Sequence, residues 1–353
     1  MVQRITIVGL GLIGGSLGLA LKGAGLREVE VVGCDREWGV GGRAERAGAI
    51  DRSARDVASA VRDAALVIIA TPILAVREVM EAMAPLLREG CVVTDTASTK
   101  AQVMRWAAEL LPSHVHFVGG HPMAGKERSG LGAADAALFR DAAYCVVPAV
   151  DADERAIHTV LGLVGLVGAH PVFLDAAEHD SYVAAVSHLP ILVSAALFSM
   201  VRGSQAWPEM SALAAGGFRD TTRLASGDPA LSHDICLTNR EAVLHWLDRF
   251  TQDLRRVREL VEGDEEELFK TFARVQMDRE AFLTQPRVPA RDTPPMPGAE
   301  GLSSGERMAA LLVGEHWAKR MREMGRTLDE RASGRPGSAR GEEREREERL
   351  KRR

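Results

Sequence analysis

Cysteine is scarce. The 353 residues hold four, Cys34, Cys91, Cys145 and Cys236, far apart and without a C-x-x-C pair. That spacing excludes a disulfide framework and the usual zinc patterns, so no metal is expected. Cys34, Cys91 and Cys145 lie in or beside short apolar runs, where a free thiol acts as a small buried hydrophobe. A reducing compartment fits such usage. Positive charge is not in excess either: 44 Lys and Arg stand against 49 Asp and Glu, for a net charge of −5. The electrostatic footprint of a nucleic-acid binder is missing. No run of about 20 uncharged apolar residues reads as a membrane span. Arg4 is followed at once by a short strand-like run and glycines, which is not a signal-peptide pattern. The expectation is a soluble cytoplasmic protein whose partners are small molecules and other protein chains.

What is present is ordinary globular composition, 46% hydrophobic and 26% charged, which excludes a wholly disordered chain. The length allows about two domains at roughly 150 residues each. Residues 1–175 alternate short Val- and Ile-rich runs with helix-like segments. The expected strands are Arg4–Val8, Val29–Val32, Leu66–Ala70, Cys91–Thr94, His116–Val118, Tyr144–Val147 and Val172–Leu174. Strands separated by helices predict crossover units and a largely parallel, covered sheet. Residues 176–285 lose the strand signal and read as an all-helical domain, with long helices over Ala176–Val201 and His233–Glu262. From Pro286 five prolines within twelve residues predict an extended linker. Ser304–Leu328 carries an apolar stripe at helical spacing, and a charged tail ends the chain.

Gly9-Leu-Gly11-Leu12-Ile13-Gly14 follows the first strand and opens a helix. One glycine permits the turn, the second admits a pyrophosphate to the backbone, and the third allows close helix–strand packing. The helix N-terminus offers unpaired N–H groups to the phosphates. Asp35 follows the second strand, 21 residues after Gly14, where a carboxylate accepts hydrogen bonds from the adenine ribose. It also repels a 2′-phosphate, so NAD is the expected cofactor; Arg36 beside it softens the preference. Thr71-Pro72 ends a strand and lines the cofactor cleft, or caps the next helix, or does both.

Two more strand ends carry polar clusters, Asp95-Thr-Ala-Ser98-Thr-Lys100 and Gly119-Gly-His121-Pro-Met-Ala-Gly125. A histidine just beyond a strand and beside a nicotinamide suits proton abstraction from an alcohol as hydride leaves. Ser98 is placed to hydrogen-bond that imidazole and fix its tautomer. From composition alone, a structural loop histidine is the favoured reading.

These segments, in this order, resemble the prephenate/arogenate dehydrogenase family of tyrosine biosynthesis. The resemblance extends to Ser187-His188-Leu189-Pro190, to the stretch from Gly216 through Arg219 and Arg223 to Asp228-Pro229, and to Asp234-Ile235 and Asn239. It covers residues 4–285 and implies an N-terminal Rossmann-type dinucleotide-binding domain followed by an all-helical dimerisation domain, hence a homodimer. It implies NAD-dependent oxidative decarboxylation of prephenate, or of its amino analogue arogenate. His121 is then the base and Ser98 its orienting partner. Arg223 anchors a substrate carboxylate, with Arg219 one helical turn earlier as a second cation. His188, brought round by a kink at Pro190, and Glu127, an acidic gate or specificity position, complete the substrate site. The sequence departs from the family at Ile191, where a second histidine is common, at Lys126, and after Asp228-Pro229, where an aromatic is often found. No regulatory ACT-type domain is expected in the tail. Two rival readings are a β-hydroxyacid dehydrogenase, whose catalytic lysine has no convincing match here, and a non-catalytic dinucleotide sensor.

Overall fold

The computed structural model describes residues 3–284, Arg27 and Asp264 aside. The Pro-rich segment, the helix expected at Ser304–Leu328 and the charged tail lie outside the described residues. Eight strands and six helices form the first half. In chain order they are β1 (Gln3–Val8), α1 (Leu12–Gly23), β2 (Val29–Cys34), α2 (Val40–Arg46), β3 (Arg52–Ser53), α3 (Val57–Val61), β4 (Ala64–Ile69), α4 (Ala75–Met83), β5 (Val92–Asp95), α5 (Ala101–Leu110), β6 (His116–Pro122), β7 (Ala143–Pro148), α6 (Glu154–Leu166) and β8 (His170–Phe173).

The sheet order is β3-β2-β1-β4-β5-β6-β7-β8. All pairings are parallel except β6 with β7, which is antiparallel. That reversal is a departure from the expected run of crossovers: β7 returns beside β6 with only a short 3-10 turn, Leu131–Ala133, between them. β4 is buried at every position, as a central strand covered on both faces requires. On one face Ile5, Ile7, Leu17, Leu21, Leu66 and Val160 pack together. On the other Val67, Ile69, Met80, Val93 and Trp106 form a second cluster, which Ala184, Ile235 and Val243 join from the helical half. Ile235 and Val243 each contribute roughly 1.5–3 kcal/mol by burial, so this cluster fixes the helices against the sheet.

The helical half comprises α7 (Ala176–Val183), a π-helical segment Ala184–His188, α8 (Leu189–Arg202), α9 (Trp207–Leu213), α10 (Gly216–Thr222), α11 (Pro229–Thr238), α12 (Arg240–Glu262) and α13 (Glu265–Thr284). The long helix expected over Ala176–Val201 is thus interrupted where Pro190 removes a donor, and a wider π turn takes up the mismatch. The helix expected over His233–Glu262 breaks at Asn239, between α11 and α12. Contrary to the sequence expectation, Ala176–Arg202 is long and apolar enough to cross a membrane by length and composition. It also holds the fully buried polar side chains His179 and His188, which tie it to the site described next. Large apolar residues stand exposed on the outer helices, among them Leu213, Val261, Phe269 and Phe272.

Candidate active site

The glycine turn shows a distinct reason for each glycine. Gly9 has φ +94°, and a Cβ there would lie 2.5 Å from the Ala70 carbonyl oxygen. A Cβ on Gly14 would lie 1.9 Å from the Gly9 carbonyl oxygen, so only glycine lets α1 approach the turn. Above Gly11, by contrast, a Cβ would meet nothing within 4 Å. That open space, at the N-cap of α1 and beside the first-turn residues Leu12 and Ile13, is a cradle that a side chain would fill. First-turn amides have no acceptor within their own helix, so they are available to a phosphate.

Asp35 sits at the end of β2 and is half-buried. One carboxylate oxygen accepts the Leu10 amide at 2.7 Å, and the other accepts the Glu37 amide at 2.8 Å. A carboxylate has about four acceptor positions, so Asp35 fastens the glycine turn and keeps capacity for ribose hydroxyls. Thr71 lies after β4, and its buried hydroxyl lacks a hydrogen-bond partner among the described residues. It does not cap a helix: α4 starts at Ala75, and Pro72 instead offers its carbonyl to the Ala75 amide at 3.0 Å. A cradle over Gly11, an acidic ribose ligand and an orphan hydroxyl at a strand end fit NAD, the 2′-hydroxyl dinucleotide.

His121 is not beyond the strand, as the sequence suggested, but within it. β6 continues through Gly119 and Gly120, because the antiparallel partner β7 supplies hydrogen bonds and pairs His121 with Cys145. The strand end is locked by a buried ion pair between Lys100 and Asp95. Asp95 also accepts the Ala97 amide at 2.9 Å and the Gly120 amide at 3.1 Å, which ties β5 to the residue before His121. His121 itself is buried. Burial first, then the neighbouring His179, Lys100 and His188, hold its pKa well below the usual histidine value. It is therefore neutral near pH 7, the state a proton acceptor needs.

The partner on the His121 ring differs from the one expected. No hydrogen bond joins Ser98 to His121 among the described residues; His121 Nδ1 instead lies 2.9 Å from His179 Nε2. The other nitrogen of His179 is 2.8 Å from an Asp180 carboxylate oxygen. Asp180 in turn accepts the Lys100 amide at 2.7 Å and the Ala101 amide at 2.9 Å, closing the N-terminus of α5. Nothing in the sequence marked His179 or Asp180, because a His-Asp pair inside a helix has no motif of its own. Only the packing of α7 against the β6 end brings them into line.

Asn239 explains the break between α11 and α12. Its amide nitrogen donates to the Asp180 carbonyl at 2.7 Å and faces His188 Nδ1 at 3.3 Å. His188 Nδ1 is then an acceptor, so the neutral ring carries its proton on Nε2. That Nε2 is buried and has no partner among the described residues. Burial pushes the His188 pKa down to about 4, with Asp180 and the nearby Ser98 main chain opposing. Such a weakly satisfied buried donor is open to a bound carboxylate or carbonyl. Ser98 thus lies beside His188, while His121 is oriented by another group.

The cations come from the helical half. Arg219 is exposed on α10. Arg223, one turn on, forms an ion pair with Glu127, in the loop that leaves β6 six residues after His121. Both partners remain about half exposed, so the pair is easily exchanged for another carboxylate. Lys126, one of the departures, pairs instead with Asp135 at 3.1 Å.

The comparisons with known proteins agree with this arrangement. Residues 17–173 match the family model described as prephenate dehydrogenase, nucleotide-binding domain, and residues 175–274 match prephenate dehydrogenase, dimerization domain. Prephenate dehydrogenase of Bacillus subtilis (strain 168) is 38% identical over 277 residues, 77% of this chain and 74% of that protein. The chain belongs to the prephenate dehydrogenase family. Cyclohexadienyl dehydrogenase of Zymomonas mobilis is 35% identical over 285 residues, 80% of this chain and 97% of that protein. A crystal structure of prephenate dehydrogenase from A. aeolicus, in complex with hydroxyphenyl propionate and NAD+, has a TM-score of 0.74 at 29% identity, over 80% of this chain and 99% of that one. Like the family, this chain joins a Rossmann-type nucleotide-binding domain to a helical dimerisation domain, and it is an NAD-dependent dehydrogenase.

Proposed function

We propose that the chain oxidises prephenate with NAD to 4-hydroxyphenylpyruvate and CO2, acting as a homodimer. The observation that carries this reading is the Arg223–Glu127 ion pair. It ties a carboxylate-binding cation to the loop that leaves the His121 strand, six residues after the proposed base. Prephenate has matching ends: a ring hydroxyl to deprotonate and carboxylates to hold. Bound NAD supplies the hydride acceptor. His121 Nε2 takes the hydroxyl proton as the ring carbon is oxidised. It returns that proton to the phenol oxygen once departure of CO2 gives its electron pair to the ring. Arg223 exchanges Glu127 for a substrate carboxylate, a geometry that suits the planar guanidinium. His188 Nε2–H offers a second, neutral donor, and Arg219 adds positive charge at the entrance.

Arogenate differs from prephenate by an amine on the side chain and would use the same base. The relative named as a cyclohexadienyl dehydrogenase keeps that substrate in view. Steady-state kinetics with each substrate separates them. The reading expects kcat/KM for prephenate to exceed that for arogenate by about tenfold or more, the equivalent of roughly 1.4 kcal/mol. The reverse order would make the enzyme an arogenate dehydrogenase.

A further inference from the structure

We propose that His179 and Asp180 are positioning residues that fix the tautomer of His121 and aim its bare Nε2 at the substrate hydroxyl. The inference rests on the reading of His121 as the proton acceptor. The polarity of the chain follows from its last member. Asp180 takes main-chain hydrogen bonds on both oxygens, from Lys100 and from Ala101. It can therefore only accept from His179, so His179 Nδ1 carries a proton. With its proton on Nδ1, His179 presents the lone pair of Nε2, 2.9 Å from His121 Nδ1. His121 must donate there, which leaves its Nε2 unprotonated.

Burial sharpens this choice. His121, His179 and Asp180 are all buried, where a mismatched donor or acceptor is costly. The two imidazoles meet edge to face, with centroids 5.1 Å apart and planes at 66°, so His121 is also held against rotation. When His121 takes the hydroxyl proton, its Nδ1–H already points along the line to the Asp180 carboxylate, which stabilises the new positive charge. The other charged or titratable groups around the ring are His188, the Lys100–Asp95 pair, Tyr144 and Cys145. None of these is hydrogen-bonded to His121 among the described residues.

Three variants of the full chain test the assignment: His179→Phe, His179→Gln and Asp180→Asn. Asp180→Asn also disturbs the start of α5, so the His179 pair carries the test, with NAD+ affinity and thermal melting as folding controls. In His179→Phe, kcat with prephenate should fall about 10–100-fold, while KM for prephenate and Kd for NAD+ stay within about threefold. Gln offers a carbonyl oxygen to the same Nδ1–H, so His179→Gln should recover most of kcat. Nitrogen-15 NMR of labelled histidine should show His121 protonated on Nδ1 in the parent protein, and as a tautomer mixture in His179→Phe. A kcat within threefold of the parent in His179→Phe, or a parent His121 protonated on Nε2, would overturn the proposal. The NMR measurement needs no turnover. A protein with the stated tautomer but inactive on prephenate and arogenate would therefore refute the functional reading and leave the positioning role standing.

Discussion

Arg223 and Glu127 form an ion pair that joins the helical half to the loop after β6. If Arg223 holds a substrate carboxylate, as proposed, Glu127 competes with substrate for the guanidinium. Arg223→Ala should raise KM for prephenate by about 10–100-fold and lower kcat much less. Glu127→Gln should lower KM, or leave it unchanged, by releasing the cation. Initial-rate kinetics of both variants decides the point; an unchanged KM in Arg223→Ala would place the carboxylate elsewhere.

As the proposed proton acceptor, His121 would act mainly in the transition state, so its loss should appear in kcat. His121→Asn should reduce kcat by about 10²–10⁴-fold with little change in NAD+ affinity. Near-normal kcat would move the proton acceptor to another group.

The Asp35 carboxylate makes two structural hydrogen bonds and has one proposed selective role. Asp35→Ala should weaken NAD+ and narrow its advantage over NADP+, because the repulsion of a 2′-phosphate is removed. The loss of the Leu10 and Glu37 hydrogen bonds should also lower Tm. Parallel measurement of both cofactor KM values and of Tm separates the two roles. If the NAD+ to NADP+ preference is unchanged while Tm falls, Asp35 is only a fastening for the turn.

Buried neutral histidines make the fold acid-sensitive. An unfolded histidine protonates near pH 6.5, whereas folded His188 resists until about 4. Between those values the unfolded state binds more protons, so this contribution is complete above about pH 6.5 and is lost as pH falls towards 4. For His188 alone the loss amounts to about 3 kcal/mol, and His121, also depressed by burial, adds in the same direction. Urea unfolding at pH 7, 5 and 4 should show the decline, and His188→Asn should flatten part of it. Stability independent of pH across that range would contradict both burial assignments.

Most strands and the dinucleotide turn were legible because each has a local signature. Val- and Ile-rich runs marked seven of the eight strands; the missing one, Arg52–Ser53, is a two-residue edge strand with no apolar run. β6 was read too short because Gly119 and Gly120 look like a loop, while its extension depends on pairing with the distant β7. In the helical half the kink at Pro190 was legible, because proline lacks a donor; the stop at Asn239 was not, because it comes with buried hydrogen bonds to residues far along the chain. For the same reason the hydrogen bond to His121 was expected from Ser98 and is instead made by His179: the sequence shows which residue types are present, and not which nitrogen each one faces.

The most direct test of the account is the stoichiometry of a single reaction, prephenate with NAD+ and purified protein. Equal amounts of NADH, CO2 and 4-hydroxyphenylpyruvate are expected, with formation of all three abolished together in a His121→Asn, Arg223→Ala double variant that still binds NAD+. NADH formed without CO2, or no NADH from prephenate by the folded, NAD+-binding protein, would contradict it.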